Sequence, residues 1–198
     1  MSATGAKKTN CRSKRNKVIL VLGGARSGKS RLAGRLAEKN FKRPLYLATA
    51  EAADDEMADR IQLHKQARGS RWRCIEEPIH IARVLSDPPR ECDGILLDCL
   101  TIWLSNVLLK EGEKSCARRK RELIAALKTA KRPVILVSNE VGMGIVPEHE
   151  LGRKFRDLAG WLNQDVAEAA HSVVFVAAGL PLVLKGKMTL KGRDSGKN

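Results

Sequence analysis

The apolar run Val18 to Leu22 is followed at once by Gly23-Gly24-Ala25-Arg26-Ser27-Gly28-Lys29-Ser30, and then by the amphipathic stretch Arg31 to Glu38. The run reads as a buried strand, and the glycine-rich octapeptide as a turn that points its backbone N–H groups inward. The stretch after it reads as a helix opening at Gly28. That order sets the positive end of a helix over any anion the turn encloses. The octapeptide fits G-x-x-x-x-G-K-[ST], in which the lysine reaches the β- and γ-phosphates and the Ser/Thr hydroxyl ligates Mg²⁺. A nucleoside triphosphate is therefore expected on residues 23–30, with Lys29 catalytic and Ser30 a metal ligand.

One strand and one helix cannot bury a core, so the rest of the chain must extend the pattern. Further continuous apolar runs lie at 44–50, 94–100, 133–139 and 172–178, beside the first at 17–22. Strands buried on both faces read this way. Helix candidates fall between them at 28–39, 54–67, 79–86, 101–110, 115–130 and 148–170, and LPLVLKGK is a candidate short terminal strand. Such alternation predicts an α/β fold with a mainly parallel sheet covered by helices. A phosphate loop of this kind needs a second Mg²⁺ anchor, usually a carboxylate ending an apolar strand. Asp98, after Ile95-Leu96-Leu97, supplies it. Taken alone, Asp98 reads equally well as a cap for the next helix at Thr101.

Composition narrows the class. The 198 residues are 43% hydrophobic and 30% charged, as in a single globular domain. Five cysteines without a C-x-x-C pair suggest reduced thiols and a cytoplasmic protein. The basic N-terminus lacks the apolar core of a secretory signal, and no run is long enough to span a bilayer. The net charge of +15 invites a nucleic-acid reading. Its distribution argues against one. Residues 1–17 hold six Lys/Arg and no acid, and residues 186–198 hold four against one Asp, so nine of the fifteen charges sit at the ends. The expected organisation is a basic disordered tail at 1–16, one domain at 17–186 and a second basic tail at 187–198, with no specific nucleic-acid partner.

Four other segments are distinctive: LYLATAEAADDEMADRIQLHKQAR (45–68), SRWRCIEEP (70–78), DCLTIWLSN (98–106) and the stretch from VSNEVGMGIVPE onward (137–170). With GGARSGKS, and in this order, they resemble the bifunctional adenosylcobinamide kinase/adenosylcobinamide-phosphate guanylyltransferases of cobalamin biosynthesis, from about Val18 to Lys185. The resemblance implies a three-layer, RecA-like P-loop NTPase fold, ATP and GTP as substrates with Mg²⁺, a corrinoid substrate and a homo-oligomer. It implies phosphorylation of adenosylcobinamide, then GMP transfer from GTP through a guanylylated histidine. The motif R-I-x-x-H-[KR] falls on Arg60 to Lys65, which makes His64 the nucleophile. By the same matching, Leu47, Ala48, Thr49, Lys65, Gln66, Ala67, Arg68 and Glu76 contact the GTP.

These assignments have a physical rationale. A neutral imidazole nitrogen can attack the α-phosphorus and expel pyrophosphate, and a carboxylate such as Glu76 can accept the N1–H and N2–H₂ donors of guanine. Residue patterns alone leave alternatives open. Met57, Ile61 and His64 share one helical face, as a packing histidine would, which leaves a monofunctional P-loop small-molecule kinase as the rival. His80, His149 and His171 match no motif position. Trp72, Trp103 and Trp161 are expected in the core or at an interface.

Overall fold

The computed structural model describes residues 17–51 and 71–188. The helix expected at 54–67 lies outside them. In chain order the described residues form β1 (Val18–Gly23), α1 (Lys29–Asn40), β2 (Pro44–Ala48), β3 (Arg73–Glu76), α2 (Ile81–Ser86), β4 (Gly94–Asp98), α3 (Leu100–Glu111), α4 (Glu113–Lys128), β5 (Val134–Asn139), α5 (Glu150–Ala169), β6 (Ser172–Ala177) and β7 (Leu180–Lys185). The seven strands join one sheet in the order β3-β2-β4-β5-β1-β6-β7. All neighbours pair in parallel except β7, which returns antiparallel beside β6.

Every residue of β1 and β2 is buried, which is why their sequences are unbroken apolar runs. The pleat sorts them. Val18, Leu20 and Leu22 face a core closed by α2 to α5, through Ile81, Leu85, Trp103, Leu123, Leu162 and Val166. Ile19 and Val21 face the other way, onto Ala33, Leu36 and Ala37 of α1 and onto Phe41. Helices thus cover both faces, giving the expected three layers. Trp103 is core and donates its indole N–H to Ile79 O at 2.8 Å. Trp72 stacks edge-on to Tyr46, while Trp161 is 56% exposed.

Strand β5 lies between β1 and β4, so one strand separates the glycine-rich loop from Asp98. The two edge strands break the apolar pattern. In β3 only Ile75 is partly buried, and β7 is exposed throughout. At the C-terminal end, the Ser172 hydroxyl bonds the backbone of Lys187, and Met188 packs against the α1 side of the core. The domain therefore runs past residue 186 to at least Met188. Among the described residues no helix is long and apolar enough to cross a membrane.

Candidate functional site

The glycine-rich loop joins β1 to α1 in the geometry its residues require. Gly28 has φ 94° and precedes the first helical residue, Lys29; a side chain there would be strained. A Cβ on Gly23 would lie 2.5 Å from both Val176 O and Ser27 Oγ, so only glycine fits where β1 meets the loop. The first turn of α1 has neither a capping side chain nor an acidic residue. Its N–H groups and dipole are left for an anion. Lys29 Nζ folds back to donate to Gly24 O at 3.1 Å. The loop opens on a cavity of ≈ 520 Å³ edged by Arg26, Lys29, Ser30, Arg31 and the Ala178–Gly179 turn. That turn, between β6 and β7, braces the loop through Gly179 N–H donating to Ser27 O at 2.9 Å.

Asp98 ends β4, in register with Ala48 on one side and Val137 on the other. The N-cap of α3 is Cys99, with no side-chain cap bond of its own. Burial pushes the Cys99 thiol up to about 11, the Asp98 carboxylate pushes the same way, and Lys29 opposes them. Loop lysine and strand-end carboxylate thus act on one buried sulfur. A Ser30 hydroxyl, an Asp98 carboxylate and phosphate oxygens form the hard oxygen set that suits Mg²⁺.

The ends of β2 and β4 are locked together. Thr49, fully buried, donates its hydroxyl to Cys99 O at 2.8 Å and accepts from Cys99 N–H at 2.9 Å. Asn106 Nδ2 donates to Thr49 O at 2.8 Å, and Glu77 N–H donates to Ala48 O at 2.9 Å. Leu47 is fully buried too. The Thr49 hydroxyl thus ties the end of β2 to Cys99, while Ala48 O and Thr49 O anchor Glu77 and Asn106. Thr49→Val keeps the shape and removes both hydroxyl bonds. It should cost about 1–3 kcal/mol, read as a lower urea midpoint with an unchanged m-value.

A second lock was not visible in the sequence. Ser138 Oγ donates to Asn163 Oδ1 at 2.7 Å and lies 3.3 Å from Thr101 Oγ1. Thr101 accepts from Asn139 N–H at 2.7 Å, and Asn163 Nδ2 donates to Asn139 O at 3.2 Å. The network ties the first turn of α3 and the middle of α5 to the end of β5, at the carboxyl edge of the sheet, where ligands of open α/β folds gather. Only the hydroxyl and amide at Thr101, Ser138 and Asn163, polar positions inside apolar elements, hinted at it. Glu140 N–H then donates to Gly23 O at 3.1 Å. Of the two neighbouring acids, Glu77 accepts from Ile79 and His80 N–H at 3.0 and 2.7 Å, fixing the entry to α2. Glu76 stands exposed at the end of β3, in register with Ala48. His64, Lys65, Gln66, Ala67 and Arg68 lie outside the described residues.

Residues 19–184 match the family described as cobinamide kinase / cobinamide phosphate guanyltransferase. The chain belongs to this family. It is 46% identical over 168 residues to the bifunctional adenosylcobalamin biosynthesis protein CobP of Pseudomonas aeruginosa, covering 85% of this chain and 97% of that one. It is also 40% identical over 181 residues to the bifunctional adenosylcobalamin biosynthesis protein CobU of Escherichia coli. The protein of that name from Salmonella typhimurium is 42% identical over 181 residues, and each of these two matches covers 85% of this chain and 99% of its relative. In this cobinamide kinase / guanyltransferase chain, the fold brings Gly23 to Ser30, Asp98 and Asn139 to one edge of the sheet. Glu76 lies two strands away from Asp98, across β2.

Proposed function

We propose that this chain performs two successive reactions on a corrinoid. It first transfers the γ-phosphoryl of ATP or GTP to the side-chain hydroxyl of adenosylcobinamide, then transfers GMP from GTP to the new phosphate. Family membership supports both steps. The observation that carries the first is the uncapped, acid-free start of α1 behind a glycine-rich loop, with Asp98 at the same edge of the sheet one strand over.

In the first step the loop N–H groups and Lys29 cradle the phosphates. Lys29 leaves its bond to Gly24 O and offsets the charge that develops on the transferring group. Ser30 and Asp98 would hold Mg²⁺, which when bound neutralises phosphate charge. In the second step an imidazole nitrogen of His64 attacks the α-phosphorus of GTP. A P–N bond forms, the bond to the pyrophosphate oxygen breaks, and pyrophosphate leaves. An oxygen of the corrinoid phosphate then attacks the same phosphorus and displaces His64, giving adenosylcobinamide-GDP. Lys65, Gln66, Ala67 and Arg68 lie next to the nucleophile in sequence, where contact with the GTP phosphates is expected. Glu76 reads the donor edge of guanine. A homo-oligomer in the cytoplasm completes the proposal.

Intact mass after incubation with GTP and Mg²⁺, without corrinoid, should rise by one GMP. A fully active kinase preparation that never gains this mass would leave only the monofunctional reading. Addition of adenosylcobinamide phosphate should then discharge the adduct.

A further inference from the structure

The phosphate loop accounts for the nucleotide but not for the macrocycle that bears the acceptor hydroxyl. Residues 140–149 join β5 to α5 without helix or strand, and both ends of this loop are held. At its start, Glu140 N–H bonds Gly23 O, and Glu140 Oε1 accepts from Gly142 N–H at 2.7 Å. At its end, Arg153 donates to Pro147 O at 3.1 Å and also reaches Glu148 O. A Cβ on Gly152 would lie 2.8 Å from Pro147 Cβ, so the proline seats on the first turn of α5. Between these anchors, Met143, Ile145 and Val146 are 81%, 97% and 55% exposed.

Single exposed apolar side chains are ordinary, but a cluster held out by a tethered loop marks a contact surface. Two features favour the corrinoid as its occupant. The first is reach. Five residues of chain from Glu140 to Ile145 span at most about 17 Å, and Glu140 is bonded to the phosphate loop. The cluster thus lies within about 17 Å of the Glu140–Gly23 bond, within reach of a macrocycle that carries its hydroxyl on a side arm. The second is charge. Residues 140–154 hold three glutamates against Arg153 and Lys154, a net charge of −1 in a chain of net charge +15; Lys154 pairs with Glu150 and Arg153 binds loop carbonyls, leaving the Glu140 and Glu148 carboxylates as the charge of the loop itself. Cobalt(III) in a monoanionic corrin with one carbanion ligand is a net cation until its side arm is phosphorylated. The acidic loop matches that cation, as the cationic phosphate loop matches the nucleotide. The apolar strand β7, at the edge of the sheet among the described residues, is by contrast a surface suited to another chain.

We propose that Met143, Ile145 and Val146 form the platform on which an apolar face of the corrin ring rests while its hydroxyl arm extends to the γ-phosphate. The assignment rests on the corrinoid activity argued above. Both Met143→Ser and Ile145→Ser change side chains that already sit in solvent, so the fold should be unaffected. In the full-length double variant, the KM for adenosylcobinamide should rise about tenfold or more, in line with losing the burial of one apolar side chain. The nucleotide KM and kcat should stay within about twofold. Equilibrium dialysis of adenosylcobinamide, without nucleotide, should show the same loss and needs no turnover. An unchanged corrinoid affinity would overturn the platform. So would a weakened affinity accompanied by a smaller oligomer in sedimentation, which would assign the patch to a second copy of the chain. Wild-type protein that neither binds nor phosphorylates the corrinoid would overturn the functional reading itself, and the platform with it.

Discussion

His64→Ala is expected to lose GMP transfer by roughly a thousandfold or more while phosphoryl transfer continues, since a covalent nucleophile has no substitute in the step it performs. The split follows from a division of labour. The loop at residues 23–30, with Asp98, contains what phosphoryl transfer requires, and the covalent step is assigned to His64, outside that loop. Incubation with α-labelled GTP should mark wild type and leave the variant blank. The adduct should be lost in acid and survive in base, as phosphoramidates do. Supplied with corrinoid and GTP, the variant should accumulate adenosylcobinamide phosphate. A histidine that only packs beside Met57 and Ile61 gives another result: continued labelling, with a loss of about 1–3 kcal/mol in stability. A folded variant that still labels would remove His64 from the chemistry.

Lys29→Ala should lower kinase turnover by at least about 10²–10³-fold, the scale seen when one preorganised donor to developing charge is removed. The ammonium lies across the loop, 3.1 Å from Gly24 O, and its truncation leaves the loop backbone intact. Gly28, Gly23 and the Gly179 brace do not depend on it, so thermal unfolding should be nearly unchanged. Phosphorylation should be measured with both ATP and GTP, because a loss confined to one nucleotide would mean that the loop serves only part of the chemistry. Wild-type turnover with both would exclude Lys29 from the step.

The parts of this fold that were legible in the sequence are those whose causes are local. Strands β1, β2, β4, β5 and β6 lie inside the sheet, and burial on two faces writes itself as an unbroken apolar run. The glycine-rich loop was legible because its phosphate contacts come from consecutive residues. Strand β3 was not. It is an edge strand whose Arg73, Cys74 and Glu76 face solvent, so no burial pattern marks it. The bond between Thr49 and Cys99 was hidden because the two residues are fifty positions apart. The Ser138–Thr101–Asn163 network was hidden for the same reason. Asp98 reads as either a helix cap or a metal ligand, because both roles put a carboxylate at the end of a strand. At the C-terminal end, composition suggested a tail from 187, whereas Ser172 binds the Lys187 backbone and Met188 packs on the core.

The phosphate loop is among the first parts of the domain to be synthesised and among the last to be finished. Its strand, β1, has β5 and β6 as neighbours, and neither exists until residues 134–139 and 172–177 have emerged from the ribosome. The wall behind Gly23 is the Val176 carbonyl, and the brace on Ser27 is the Gly179 amide. A nascent chain lacking its last quarter therefore carries the whole motif without a cradle. Full nucleotide affinity is therefore expected only in a chain made through the β6–β7 hairpin. A truncation that stops short of Gly179 is predicted to be blind to ATP and GTP, although every residue of the motif is present.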